Sequence, residues 1–401
     1  MGARLTPKSR FSQPNAPQKT AKSSPLPKAK IVRRRRLHEL ESRLHIPITT
    51  AIAVAIVSSL SVGLYSFWTQ KHQSFNYTSF RSETLKRYPY EGRNLVLLAD
   101  DRHFDPETIQ EILTILDQAY FYYLRITGNP PLPTPENDAR GLLPIAVVRD
   151  TCGAGCGRLG SQGIEIQPQY LDELYLAYQQ SGTLHHLIFY ELGRNFWGAT
   201  LQKKLDYHHN SEEKDYRVVA EGFALFMQFQ AMNAAGVTPA PFRGLPFEQY
   251  RHEIRRYLEI YLADPSLTWE NTLQVYAFPE ISDCAARQLC LSPANLLAAF
   301  WLDLHDRYGD HFTQRFFWEV QRLPDTRTTQ DAVDNFVLAA SAGADRNLSD
   351  LFTQTWRWPL SDQARQELQR RYGNPIPESL ITRPTSVPVN RSKTSPRAWQ
   401  G

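Results

Sequence analysis

The stretch His185-His186-Leu187-Ile188-Phe189-Tyr190-Glu191-Leu192-Gly193-Arg194-Asn195-Phe196-Trp197 decides how the chain reads. Leu187, Ile188, Leu192 and Phe196 recur at helical spacing, which predicts a helix over 185–197 with one apolar face. Tyr190, Glu191 and Arg194 fall near one another on it, and Glu191 and Arg194, at i and i+3, are close enough to pair. About thirty residues on, Glu221 stands alone in Val218-Val219-Ala220-Glu221-Gly222-Phe223-Ala224-Leu225-Phe226-Met227, a helix apolar nearly all round and therefore buried. An isolated carboxylate there costs several kcal/mol unless a cation or metal meets it. The plainer reading is a core helix with one satisfied charge pair.

Upstream of this helix the pattern is strand and helix by turns. Asn94 to Ala99 reads as a strand, and Asp105 caps a helix that starts at Pro106 and runs through Ile109, Ile112, Ile115, Leu116 and Tyr120 to the stop at Gly128-Asn129-Pro130-Pro131. Leu142 to Val148 is a second strand. The loop Cys152-Gly153-Ala154-Gly155-Cys156-Gly157 has glycines enough for a phosphate cradle but lacks the Lys-Ser/Thr that would complete one, so it reads as a turn. Gly163 to Ile166 is a short strand, expected at an edge, and Pro168 leads into a helix over 171–179. Downstream almost everything is helical, with helices expected at 216–233, 247–262, 294–308, 311–322, 329–342, 348–356 and 361–372. Strands first and helices afterwards argue for an α+β domain, a short amino-terminal sheet followed by a mainly helical half.

The termini differ from this core. Residues 1–45 hold twelve Lys or Arg against two acids, a basic tail of +10 that leaves −6 for the rest of a chain whose total is +4. Its position ahead of a long apolar run argues against nucleic acid as the partner. That run, Ile46 to Trp68, carries no charge, and its twenty-three residues make about 34 Å of helix, enough to span a bilayer. A buried core helix and a cleavable signal peptide are the alternatives, and no small-x-small site follows the run to favour the second. The positive-inside rule puts residues 1–45 in the cytoplasm and the main domain across the membrane, in the periplasm of a bacterium. The expected plan is a disordered tail (1–45), a transmembrane helix (46–68), a linker (69–92), a folded domain (93–373) and a disordered tail (374–401). Beyond the membrane, Cys152, Cys156, Cys284 and Cys290 are expected as disulfides. The local pairing, Cys152 with Cys156 and Cys284 with Cys290, is preferred among three connectivities that sequence leaves open; a four-cysteine zinc site fits these spacings poorly.

Strands, a helix with x-Glu-Leu-Gly-x-Asn-Phe-Trp and a later helix with Glu-Gly-Phe-Ala together resemble the gluzincin class of zinc metallopeptidases. The similarity covers roughly 93–373. It extends to the closing helices through Asn335-Phe336-Val337-Leu338-Ala339-Ala340, Asp350-Leu351-Phe352 and Trp356-Arg357-Trp358-Pro359-Leu360. In that class two His at i and i+4 of the first helix and a Glu of the second bind zinc, and a Glu beside the first His polarises water. The resemblance implies that Glu191 matches the general base and Glu221 the third ligand, while Tyr190 and Arg194 stand where the ligand His should be. Tyr must lose a phenolic proton to bind zinc, and Arg cannot be deprotonated. The resemblance therefore implies a degenerate member in which Arg194 bridges Glu191 and Glu221 in the metal's place. No cofactor is expected and Glu191 is vestigial. Such a pseudoenzyme would use the cleft, with Tyr190, Glu191, Arg194 and Glu221, to bind a peptide, cell-wall or protein ligand. The alternative is an active membrane-bound hydrolase using Glu191 and zinc displaced onto His186, Glu221 and a loop His, His208 or His209. His252-Glu253-Ile254-Arg255-Arg256 begins like a metal motif but ends in Arg and reads as a solvated helix face.

Overall fold

The computed structural model describes residues 74–377 except 102, 138, 208–215, 279–288, 290, 291 and 376. Its centre is a six-stranded sheet in the order β1-β2-β3-β4-β6-β5, made of β1 (Phe75–Thr78), β2 (Thr84–Glu91), β3 (Leu95–Ala99), β4 (Leu143–Val147), β5 (Gly155–Gly157) and β6 (Ile164–Ile166). Every residue of β3 and β4 is buried, as the unbroken apolar runs demand of strands covered on both faces. Leu95, Leu97 and Ala99 face the helices, while Val96 and Leu98 face a smaller cluster closed by Tyr77 of β1. β3 and β4 pair in parallel, as do β4 and β6; the other three pairings are antiparallel.

Two expectations about this sheet are corrected. Residues 69–92, taken as a linker, carry β1 and β2 from residue 75 onward. Pro89 and three charged residues, Lys86, Arg87 and Glu91, hid the second strand, because outer strands with half-buried side chains lack a continuous apolar signature. The 164–166 strand is not at an edge, since β5 pairs with it in a hairpin and takes the edge itself. The glycine-rich turn is thus partly strand, and the Cys152–Cys156 disulfide closes it at its start.

Helix α1 (Pro106–Thr127) makes the crossover between parallel β3 and β4. The Asp105 side chain caps it by accepting from Thr108 N, and Gly128 ends it at φ 75°, a left-handed conformation that glycine adopts without strain. Helices α2 (Pro168–Ser181), α3 (Leu187–Phe196), α4 (Ala199–Leu205), α5 (Tyr216–Ala234), α6 (Phe247–Ala263), α7 (Pro293–Val320), α8 (Thr329–Ala344) and α9 (Asp362–Tyr372) follow, with a two-residue pair of β7 (Thr183–Leu184) and β8 (Thr238–Pro239) beside α3. The two helices expected at 294–308 and 311–322 form the two arms of α7, separated where the sequence placed the break by the non-helical backbone of Gly309 at φ 75°. The helix expected at 348–356 shrinks to a single wide turn, Leu351–Thr355. Past it, Trp356 and Trp358 bury their rings against Phe300 and Phe352 and close the helical half.

The expected transmembrane run 46–68, the tail 1–45, the tail 374–401 apart from residues 374, 375 and 377, Cys284, Cys290, His208 and His209 lie outside the described residues. Among the described residues no helix is long and apolar enough to cross a membrane.

Candidate functional site

Helix α3 is held from three sides, and its sequence explains each contact. Gly193 admits close packing: a Cβ there would stand 3.1 Å from the Tyr123 hydroxyl of α1 and 3.2 Å from Ala224 Cα of α5. The same Tyr123 hydroxyl donates to Phe189 O at 2.7 Å, and its ring stacks on Phe196. Asn195 donates through Nδ2 to Arg158 O (2.8 Å) and Gly163 O (3.0 Å), while Gly160 N donates to Arg194 O (3.0 Å), so the β5–β6 hairpin is clasped to the helix. Buried Trp197 donates from Nε1 to Asp206 Oδ1 at 3.0 Å. Leu-Gly-x-Asn-Phe-Trp is therefore the set of residues that seats this helix between hairpin and core.

On that seat the structure brings together the four residues singled out in the sequence. Glu191 is 4 % exposed, and its Oε2 accepts from Gly157 N of β5 at 2.6 Å. Arg194 Nε lies 3.6 Å from the same Oε2, and the guanidinium is close enough to the Tyr190 phenol for each to shift the other. Glu221 comes in from α5, close enough for its charge to act on Tyr190, Glu191 and Arg194 alike. Its Oε2 accepts from the Tyr276 hydroxyl at 3.4 Å. Two members escaped the sequence reading. Gly157 lay in a loop read only as a turn, and Tyr276, 55 residues from Glu221, carried no signal.

The charges are set by burial against pairing. Burial raises the Glu191 carboxyl above its ordinary range, Arg194 and the Gly157 N–H draw it back, and Glu221 pushes it up again, for a net rise. Burial works to lower Arg194, but Tyr190, Glu191 and Glu221 together raise it, so the guanidinium keeps its charge. Burial pushes the Tyr190 phenol well up, against the pull of Arg194, and it stays protonated. This donor set does not fit zinc. Tyr190 and Arg194 offer a protonated phenol and a permanent cation, neither of which binds zinc, and the cation lies 3.6 Å from Glu191. Among the described residues no three His, Cys, Asp or Glu side chains form a group that could hold a metal ion.

The two neighbouring histidines are placed differently. His186 is buried, its ring centroid 4.6 Å from that of Phe242, 5.5 Å from Phe247 and 5.7 Å from Tyr250, and its Nδ1 has no hydrogen-bond partner. Burial, with a smaller push from His185, drives its pKa down to about 3. Below its ordinary pKa of ~6.5 the unfolded chain takes a proton that the native ring refuses, so stability is full above that pH and falls as pH drops toward 3. From pH 7 to pH 5 this one group should cost about 2 kcal/mol. Denaturant unfolding at the two pH values checks it: His186→Phe should remove that part of the acid loss, and an unchanged slope would contradict the assignment. His252 is exposed on α6, and Glu253 pairs with Arg256 at 3.6 Å.

No family model matches the chain, and no curated protein does. Solved structures do. A functionally unknown conserved protein from Bacillus anthracis is 16 % identical with a TM-score of 0.46, over 73 % of this chain and 52 % of that one. The ZmpB metallopeptidase from Clostridium perfringens is 16 % identical with a TM-score of 0.42, over 75 % and 51 %. The M60 catalytic domain of ZmpC from the same organism, solved in complex with the sialyl T antigen, is 15 % identical with a TM-score of 0.44, over 74 % and 51 %. The chain spans about half the length of these solved chains.

Proposed function

We propose that this protein is a membrane-anchored pseudo-metallopeptidase: a gluzincin-like domain whose site is closed by an internal ion-pair cluster and serves as a binding or scaffolding ectodomain. The single observation that carries the reading is the place of Arg194. Its guanidinium lies against buried Glu191 and within the field of half-buried Glu221, where a cation offsets both carboxylates. A planar fork with several donors suits that task, and being permanent it leaves no room for exchange with a metal. Glu191 is partly committed: its Oε2 accepts from the Gly157 N–H at 2.6 Å and lies 3.6 Å from Arg194 Nε. Anchoring through residues 46–68, with the amino terminus in the cytoplasm, is part of the same proposal and rests on the charge and length of that segment.

What remains for a ligand is the polar rim of the site, Tyr190, the partly exposed edge of Arg194 and Glu221, chemistry suited to the backbone and side chains of a peptide or cell-wall component. The test is hydrolysis. With zinc supplied, the full chain should not cleave a mixed peptide library above a denatured control. Turnover that requires zinc and disappears in Glu191→Gln would overturn the reading and favour the hydrolase.

A further inference from the structure

The turn that leads into β5 carries the Cys152–Cys156 disulfide, and that bond stands next to the contact on which the site is built. Cys156 is the middle residue of β5, and the residue after it, Gly157, supplies the 2.6 Å backbone donor of Glu191 Oε2. Cys152 is exposed and Cys156 half-buried, so the pair is open to a small thiol in solution.

The two halves of the hairpin are held by different means. Its turn is fixed to α3 independently of the cysteines: Arg158 N donates to Gly163 O at 3.0 Å, Asn195 grips the carbonyls of both residues, and Gly160 N donates to Arg194 O. The entering half has fewer ties. Gln167 N donates to Ala154 O at 3.1 Å, and Gly155, Cys156 and Gly157 pair with β6. Gly153, Gly155 and Gly157 fall within these few residues, and glycine loses the most conformational freedom on ordering and has little preference for a strand. β5 is also the edge of the sheet, with a strand neighbour on one side only. Closing the short covalent ring removes part of that freedom before the strand forms.

We propose that the Cys152–Cys156 disulfide is a redox-sensitive latch on the site. While it is closed, β5 holds the Gly157 N–H on Glu191; when it is reduced, residues 153–157 come away from α3 and Glu191 loses that donor. A dithiol supplies the electrons. Its thiolate attacks the exposed Cys152 sulfur, the bond to Cys156 breaks, and Cys156 leaves as a thiolate that takes up a proton. The second thiol of the reagent then attacks the mixed disulfide, frees Cys152 as a thiol, and leaves the reagent as a cyclic disulfide that has given up two electrons. That the latch regulates ligand access rests on the proposed reading of the site as a binding cleft; the latch itself rests on the hairpin.

Hydrogen exchange tests it on the full chain in detergent micelles, with and without millimolar dithiothreitol, while alkylation and peptide mass spectrometry report which cysteines are reduced. Reduction should speed exchange of the amides of 153–157 by about tenfold or more and leave those of 218–230 in α5 unchanged. Oxidised glutathione should restore the slow rate. Cys152→Ser combined with Cys156→Ser should exchange at the fast rate in both conditions, which separates this pair from Cys284 and Cys290. Should that variant fail to fold, Cys284→Ser with Cys290→Ser isolates the same pair. A Cys152–Cys156 bond that stays oxidised in the folded chain would overturn the proposal, as would exchange unchanged by reduction or a fast rate that oxidised glutathione does not reverse. Zinc-dependent peptide hydrolysis would sink the binding-cleft reading and leave the latch to be decided by exchange.

Discussion

Replacing Arg194 with alanine should destabilise the domain by about 3 kcal/mol, the low end of what breaking a buried ion pair costs, because the guanidinium is partly open to solvent. The loss arises less from the missing attraction than from what is left behind. Glu191 would keep its place under the hairpin with Glu221 acting on it and no cation near, and its carboxyl, already raised by burial, would rise further. A carboxyl raised in the native state favours the protonated chain, so stability falls as pH climbs through the interval above the ordinary glutamate value. Arg194→Ala should therefore be least damaging near pH 4 and most damaging at pH 7. Adding Glu191→Gln should restore much of the loss at pH 7, since a neutral amide in that position needs no counter-charge. Denaturant midpoints of the four members of the cycle check this, and additive losses would mean that the two residues do not work as a pair.

The second large effect concerns Gly157. Its backbone N–H donates to Glu191 Oε2, and an added Cβ would meet the Glu191 carbonyl oxygen at 2.5 Å and the carboxylate at 3.0 Å. The first of these is backbone in the middle of a helix and cannot swing away. Gly157→Ala should lift the β5–β6 hairpin from α3 and break a charge-assisted hydrogen bond, for a loss of about 3 kcal/mol. Gly198→Ala is the control. That glycine has ordinary φ and open space where a Cβ would go, so the change should cost only about 0.5 kcal/mol as a weaker helix cap. Equal midpoints for the two variants would show that the hairpin does not bear on the site.

Why the site was partly legible follows from these contacts. Tyr190, Glu191 and Arg194 lie on one helix, so spacing alone brings them together, and Glu221 announced itself as a charge in an apolar run. Asn195 and Gly193 were visible only as parts of a motif; their work, clasping the hairpin and admitting Ala224, depends on partners far along the chain. The Gly157 N–H could not be foreseen, because a backbone donor has no residue signature and its role comes from a strand pairing that three residues barely encode. The sheet shows the same division. β3 and β4 are buried on both faces and read directly, whereas β1 and β2 are half exposed, polar and interrupted by Pro89, and were taken for a linker. The break between 294–308 and 311–322 was legible as well, because Gly309 takes a left-handed φ of 75° that interrupts the helix.

The proposed pseudo-metallopeptidase carries its cation as Arg194 and not as zinc, and metal content measures that directly. The full chain, purified without chelators and dialysed against buffer containing micromolar zinc, should retain well under one zinc per chain by elemental mass spectrometry, and Glu221→Gln should leave that value unchanged. One tightly held zinc per chain, lost in Glu221→Gln, would contradict the claim that Arg194 has taken the metal's place.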